Sequence, residues 1–375
     1  MKTKRIIYIW GRNYTGRLYT MPFGLNVLYY LLKEGYKVEI YLFENPSQHY
    51  KDILPSGTKI NFVGYLINHK YNRVKYLRVL FKFFLKFGCK NIIAVGQMGA
   101  VAAQSIFGRK KNIAYFNDEF TSIYKIPFFA SIEKKLIKDA SIIALPDKFR
   151  QAGLESDIGL KIPQEKVVEF INSPAWITKE NLPVIDWHNR LRIEKSKRIV
   201  LFSGGVAPFL QITETLMSVK LWDEEFVLVL NSPNLQALRN FRVSHQHLEI
   251  EGRIYWLEEQ LSEAEFHSLI AASFCNICLY SNVNPNLATV GKSSGKAMRS
   301  LLLGVPVICS DLPSFDFVKQ KQLGICIHHP MELCQALIAI KNDENEFLQR
   351  CQSFATHEMN TQLEYEVFIK AFLNR

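Results

Sequence analysis

Short apolar runs alternate with amphipathic stretches along almost the whole chain. Residues 4–10 form an apolar run that reads as a strand. Residues 11–24 are a polar, glycine-containing loop, 25–34 have helical spacing that stops at Gly35, and 37–43 are a second strand. Strand, loop, helix, glycine and strand make a βαβ unit. Further strands are predicted at 59–65, 91–95, 113–117, 141–145 and 167–171. Pro174, Pro183 and the polar stretch 179–197 break the pattern and read as a linker. A second series starts at 198–202 with Gly204 and Gly205 behind it, and continues with strands at 226–231, 248–251, 276–280, 305–309 and 325–328. The stretch 344–375 reads as helical throughout.

Two successive α/β series predict two doubly wound parallel sheets, each Rossmann-like. The expected division is 1–178 for the first domain, completed by helix 358–375, then linker 179–197 and a second domain 198–357. Ligands of such sheets sit outside the carboxyl ends of the strands, and a cleft between two domains is the expected place for chemistry.

Bulk numbers add limits. A length of 375 residues fits two domains. With 48% hydrophobic and 22% charged residues the chain is not of a disordered class. Its 13% aromatic content and net charge of +11 point to a nucleic acid, an anionic lipid or a phosphorylated substrate. No helix-turn-helix, zinc-finger or RNA-binding signature supports nucleic acid. The seven cysteines are odd in number and mostly lie in apolar runs, which predicts buried free thiols and a reducing compartment. Cys275 and Cys278 form a CxxC with no second pair at zinc spacing, and with no Asp-x-Asp either, no metal is expected. The first apolar run lacks a cleavage site and no run reaches about 18 apolar residues, so the expected location is cytoplasmic. Residues 70–87 add a peripheral option. Lys75, Arg78, Lys82 and Lys86 share one helical face and Leu77, Leu80, Phe81, Phe84 and Leu85 another, which suits an anionic membrane surface or packing on the chain's own sheet.

The segment 276–311 carries the most chemistry. A strand runs into a polar loop, the loop ends in Gly291-Lys292-Ser293-Ser294-Gly295-Lys296, and a helix starts there. A helix N-terminus offers unpaired N–H groups and partial positive charge. Gly295 lets backbone approach a ligand, Ser293 and Ser294 can donate or cap, and Lys292 and Lys296 add charge. This is a diphosphate site in kind; the bland alternative is a capped surface helix with incidental lysines.

Residues 198–340 resemble the nucleotide-binding domain of glycosyltransferase family 4, the retaining GT-B enzymes. The resemblance rests on GKAMRSLLLGVPVICSDLPSF, on Leu201-Phe202-Ser203-Gly204-Gly205, on Ser262 to Tyr280 and on Leu323-Gly324. In the first half, Ile132-Glu133-Lys134-Lys135 and Asp139-Ala140-Ser141-Ile142-Ile143 resemble the family's helix and strand before its linker. The resemblance implies a GT-B fold and transfer of a sugar from a UDP or GDP sugar, with no other cofactor. It implies that Lys296 contacts the donor diphosphate with Ser293, Ser294 and Gly295, and that Gly204 and Gly205 leave room beside it. The chain departs from the pattern twice. Arg299 stands where the family has a ribose-binding glutamate, and Val206 to Gln211 carries no charge where the family has a basic residue. Arg299 lies one turn beyond Lys296, so it can share its direction and meet a phosphate or an acidic sugar, or it is a surface arginine.

Other candidates carry less. Asp118 and Glu119 follow a strand, and one of them can accept a proton from an acceptor hydroxyl or simply cap the next helix. Ser293-x-x-Lys296 also fits a penicillin-binding motif, but no Lys-Thr-Gly follows. The loop 11–24 lacks GxGxxG and resembles the acceptor-side loop of GT-B enzymes. His69, His188, His328 and His329 read as structural or exposed. The sequence thus predicts a glycosyltransferase acting on a lipid-linked or surface-glycan acceptor. Its rivals are a non-catalytic GT-B scaffold subunit and a GT-B sugar-nucleotide epimerase.

Overall fold

The computed structural model describes residues 5–10, 21–42, 60–62, 90–108, 111–120 and 127–373. The chain divides into two compact units, Met1–Ala175 with Thr361–Arg375, and Trp176–Asn360.

The first unit holds strands β1 (Arg5–Trp10), β2 (Lys37–Leu42), β3 (Ile60–Phe62), β4 (Asn91–Val95), β5 (Asn112–Phe116), β6 (Ile142–Leu145) and β7 (Val167–Glu169). They form one parallel sheet in the order β3-β2-β1-β4-β5-β6-β7. Ile6, Ile7, Tyr8 and Ile9 of the central β1 are fully buried, as a strand covered on both faces requires. Helices α1 (Pro22–Lys33), α2 (Gly96–Phe107), α3 (Pro127–Asp139) and α4 (Lys148–Ile158) flank it. Pro22 at the start of α1 costs no hydrogen bond there. Gly24 lets that helix approach β1, because a Cβ would stand 3.1 Å from the Trp10 ring.

The second unit holds β8 (Arg198–Ser203), β9 (Phe226–Asn231), β10 (Ile254–Leu257), β11 (Cys275–Cys278), β12 (Val307–Ser310) and β13 (Gly324–Ile327), all parallel, in the order β10-β9-β8-β11-β12-β13. Its helices are α5 (Trp187–Leu191), α6 (Ile212–Ser218), α7 (Leu235–Ser244), α8 (Glu263–Ala271), α9 (Pro285–Ala288), α10 (Gly295–Leu302), α11 (Asp316–Gln320), α12 (Leu333–Asn342) and α13 (Glu344–Glu358). Helix α14 (Thr361–Leu373) returns to the first unit, where the Tyr365 ring lies 5.0 Å from Tyr30 and Phe368 lies 5.3 Å from Phe116.

Three expectations need correction. Residues 248–251 are not a strand: Leu-Glu-Ile-Glu alternates like one, but the chain turns there, and the strand is Ile254–Leu257. The stretch 344–375 is two helices, interrupted at Met359 and Asn360. Arg299 is buried rather than a surface arginine. Within 179–197 the chain forms α5, whose Trp187 is buried in the core of the second unit and donates from Nε1 to Ser268 Oγ at 3.1 Å. The loop residues 11–20 and the basic amphipathic stretch 70–87 lie outside the described residues.

In each sheet the chain reverses direction once. Those switch points lie between β1 and β4 and between β8 and β11, and ligands of open α/β sheets bind at the carboxyl ends there.

Candidate anion site at the second switch point

Both strands at the β8/β11 switch point lead into the segments singled out above. After β8 the chain turns at Gly204, whose φ of 119° favours glycine, and its N–H donates to Asn231 O at 3.0 Å. After β11 it passes through α9 and a 3-10 turn at Gly291–Ser293 into α10. Gly291 admits no side chain, since a Cβ would fall 2.1 Å from Ser314 O, and its N–H donates to Ser314 Oγ at 3.2 Å. That contact fixes the turn carrying half-buried Lys292 and buried Ser293. Ser294 caps α10 by accepting from Ala297 N at 3.2 Å, and its hydroxyl shares a 2.8 Å hydrogen bond with Tyr280 OH. The N–H groups of Gly295 and Lys296, in the first turn, have no intrahelical acceptor.

Lys296 reaches from this helix to the glycine turn, and its Cδ stands 3.2 Å from where a Gly204 Cβ would be. Its Nζ is buried and has no hydrogen-bond partner among the described residues. What it has are two ring faces, Tyr280 with its centroid 4.8 Å away and Phe202 at 5.1 Å. Burial pushes the ammonium below the usual lysine range, with the Cys278 and Cys309 thiols acting weakly the other way. Ser203, the last residue of β8, also buries a hydroxyl that has no partner among the described residues. The start of α10 thus brings a buried cation and N–H groups without an intrahelical acceptor to the carboxyl end of β8, an arrangement suited to an anion.

Arg299 makes contacts of its own. It is 8% exposed, donates from Nη1 to Gly295 O at 3.3 Å, and holds Nη2 4.0 Å from Glu263 Oε1 on α8. Burial pushes the Glu263 carboxyl up, and Arg299 opposes this. Neighbouring His267 is pushed down to about 3 by burial and by Arg299, so its imidazole is neutral. The structure therefore groups Gly204, Ser293, Ser294, Gly295 and Lys296 at the switch point and packs Arg299 against α8.

In the first unit, Asp118 is buried and Glu119 half-buried at the carboxyl end of β5. The Asn117 side chain accepts from Glu119 N at 2.8 Å, and Asn117 N donates to Ala144 O at 3.1 Å. Beneath them lies Glu133 of α3, fully buried, which accepts from Tyr115 OH, from Gln97 Nε2 at 3.2 Å and from Asn117 Nδ2 at 3.5 Å. Among the described residues no cluster of three or more His, Cys, Asp or Glu side chains is placed to hold a metal. Cys275 and Cys278 sit three positions apart in β11, so their side chains fall on opposite faces.

The sequence reading passed over Phe202, Tyr280 and Glu133 as site residues. Each was visible only as part of a strand or helix pattern, since ring faces and buried acceptors are defined by what arrives from elsewhere in the fold.

No protein-family model and no curated protein sequence matches the chain. Solved structures match it in fold. HepE from Anabaena, solved with UDP-glucose, is 11% identical with a TM-score of 0.74, over 99% of this chain and 100% of that one. A glycosyltransferase from Rickettsia africae is 11% identical with a TM-score of 0.68, over 100% and 99%. A UDP-N-acetylglucosamine 2-epimerase is 12% identical with a TM-score of 0.60, over 98% and 97%. At such identities the likeness is one of fold, and the fold class is GT-B, with two Rossmann-like units.

Proposed function

We propose that the chain is a nucleotide-sugar-dependent glycosyltransferase whose donor diphosphate binds at the carboxyl ends of β8 and β11. The observation that carries this is the Lys296 ammonium, buried without a hydrogen-bond partner beside the Gly204 turn. A buried cation left bare is costly, and a diphosphate arriving at a helix N-terminus supplies the missing charge. The uncharged stretch Val206 to Gln211 fits this reading, because Lys296 brings a positive charge to the glycine turn from the opposite side. Ser293, Ser294, Gly295 and the half-buried Lys292 complete the phosphate contacts, with Gly204 and Gly205 leaving room. HepE was solved with UDP and with UDP-glucose, which supports a uridine nucleotide as the first donor to try.

In this reading the second unit is the donor side and the first the acceptor side. Lys296 and the N–H groups of α10 stabilise the departing diphosphate, and binding orients the acceptor. Asp118 or Glu119 takes the acceptor proton, Arg299 braces α10 from α8, and the anomeric configuration is retained. The acceptor is a lipid-linked or growing surface glycan, reached in the cytoplasm at a membrane surface through residues 70–87. Among the described residues no helix is long and apolar enough to cross a membrane.

Thermal unfolding with and without UDP or GDP is the test. The expected result is a rise in Tm with one nucleotide that vanishes in Lys296→Ala. If neither nucleotide moves the wild-type Tm, the enzyme reading is wrong. The epimerase likeness in fold makes a second assay worthwhile: a sugar nucleotide incubated alone stays unchanged with a transferase and is isomerised by an epimerase.

A further inference from the structure

We propose that Phe202 and Tyr280 are positioning residues that hold the Lys296 ammonium at the glycine turn without neutralising it, so that its charge stays available to the donor diphosphate. This rests on the donor-site reading above. A buried lysine is ordinarily matched by a carboxylate, and a matched lysine has little charge left to offer a ligand. Here the neighbours are ring faces. Both centroids, at 4.8 and 5.1 Å from Nζ, lie within the roughly 6 Å over which a ring quadrupole attracts a cation. A ring face offsets part of the lost hydration but accepts no strong hydrogen bond, so it yields when phosphate oxygens arrive.

The rings are themselves fixed. Phe202 is 1% exposed within β8. Tyr280 donates its N–H to Ser310 Oγ at 2.7 Å and stacks on Phe315 with centroids 6.1 Å apart. Its hydroxyl meets Ser294 Oγ at 2.8 Å, the same oxygen that caps α10. Tyr280 therefore ties the cation and the helix N-terminus, the two positive parts of the site, to one ring. Among the described residues, the titratable groups facing Lys296 are the Cys278 and Cys309 thiols and the Tyr280 phenol itself. A ring that stabilises the ammonium must keep it protonated to higher pH than an aliphatic side chain would.

The test is UDP affinity measured by calorimetry from neutral to alkaline pH. Phe202→Met and Tyr280→Met keep the volume and remove the ring. Each is expected to weaken UDP binding about tenfold and to move the alkaline fall in affinity to lower pH. Tyr280→Phe keeps the ring and is expected to keep the wild-type pH profile, with a few-fold loss of affinity from the freed Ser294. If wild-type protein binds UDP and the methionine variants match its affinity and pH profile, the proposal is overturned. Should a methionine variant fail to fold, Tyr280→Phe decides, because a shifted profile there contradicts a role for the ring face. If the wild-type chain binds no nucleoside diphosphate at any pH, the donor-site reading itself falls and takes this proposal with it.

Discussion

Glu133 and Lys296 are both ionisable side chains buried beside the carboxyl end of a parallel sheet, and the chain treats them in opposite ways. Glu133 gathers donors from three places, Gln97 behind β4, Tyr115 in β5 and Asn117 just past it. Burial and Glu133 together push the Tyr115 phenol well up, so that hydroxyl remains a donor. The Lys296 ammonium has no hydrogen-bond partner among the described residues. A buried charge that serves the fold is paired by its own chain, because an unpaired one is among the most expensive things a core can hold. One that stays bare marks a place where the fold tolerates a cost for something that arrives later.

The two residues should differ most when each is made apolar. Glu133→Leu strands three buried donors at about 1 to 3 kcal/mol each, so a loss on the order of 3 kcal/mol or more is expected in urea unfolding. A loss below about 1 kcal/mol would mean that the network is ornamental. Lys296→Met should have the opposite sign and stabilise the unliganded protein by about 1 to 3 kcal/mol, while abolishing the nucleotide-induced rise in Tm. Proton linkage has the same sign. The folded pKa of Lys296 lies below its unfolded value, so between the two the unfolded chain binds more protons and stability rises with pH. Lys296→Met should flatten that rise. A destabilised Lys296→Met would show that the ammonium is matched after all.

Binding gives a sharper version at smaller cost. The diphosphate raises the depressed pKa of Lys296, so in alkaline solution UDP binding takes up a proton and affinity falls with pH by up to about 1.4 kcal/mol per unit. Calorimetry in two buffers of different ionisation enthalpy measures the uptake. Lys296→Arg, which stays charged, should bind without it. Equal heats in both buffers for the wild type would contradict a bare ammonium.

Much of the fold was legible because continuous apolar runs mark buried parallel strands. Residues 91–95 and 226–231 match their strands end to end. Alternation misled at 248–251, where Leu248 and Ile250 punctuate an exposed turn and tertiary pairing selects Ile254–Leu257 instead. The candidate site was legible in its backbone, since glycine and serine before a helix announce an N-terminus. Arg299 shows where that logic stops. Helical spacing puts it one turn from Lys296, but among the residues it meets is Glu263 of α8, and no local pattern encodes which neighbouring helix stands on that side. The ring faces around Lys296 were hidden for the same reason.

The two glycines of the turn should differ only modestly. Gly204 has φ of 119°, where a side chain is strained, and its Cβ would press on Lys296 Cδ at 3.2 Å. Gly204→Ala should therefore cost about 1 to 2 kcal/mol of stability and weaken UDP binding a few-fold by displacing the lysine stem. Gly205 has no such demand: a Cβ there would meet Leu210 Cδ1 at 3.5 Å, an ordinary contact. Gly205→Ala should stay within about 0.5 kcal/mol of the wild type and bind UDP as well. If the two alanines behave alike in unfolding and in titration, the turn does not hold the lysine in place. Lys296 would then have to be positioned by its helix and the rings alone.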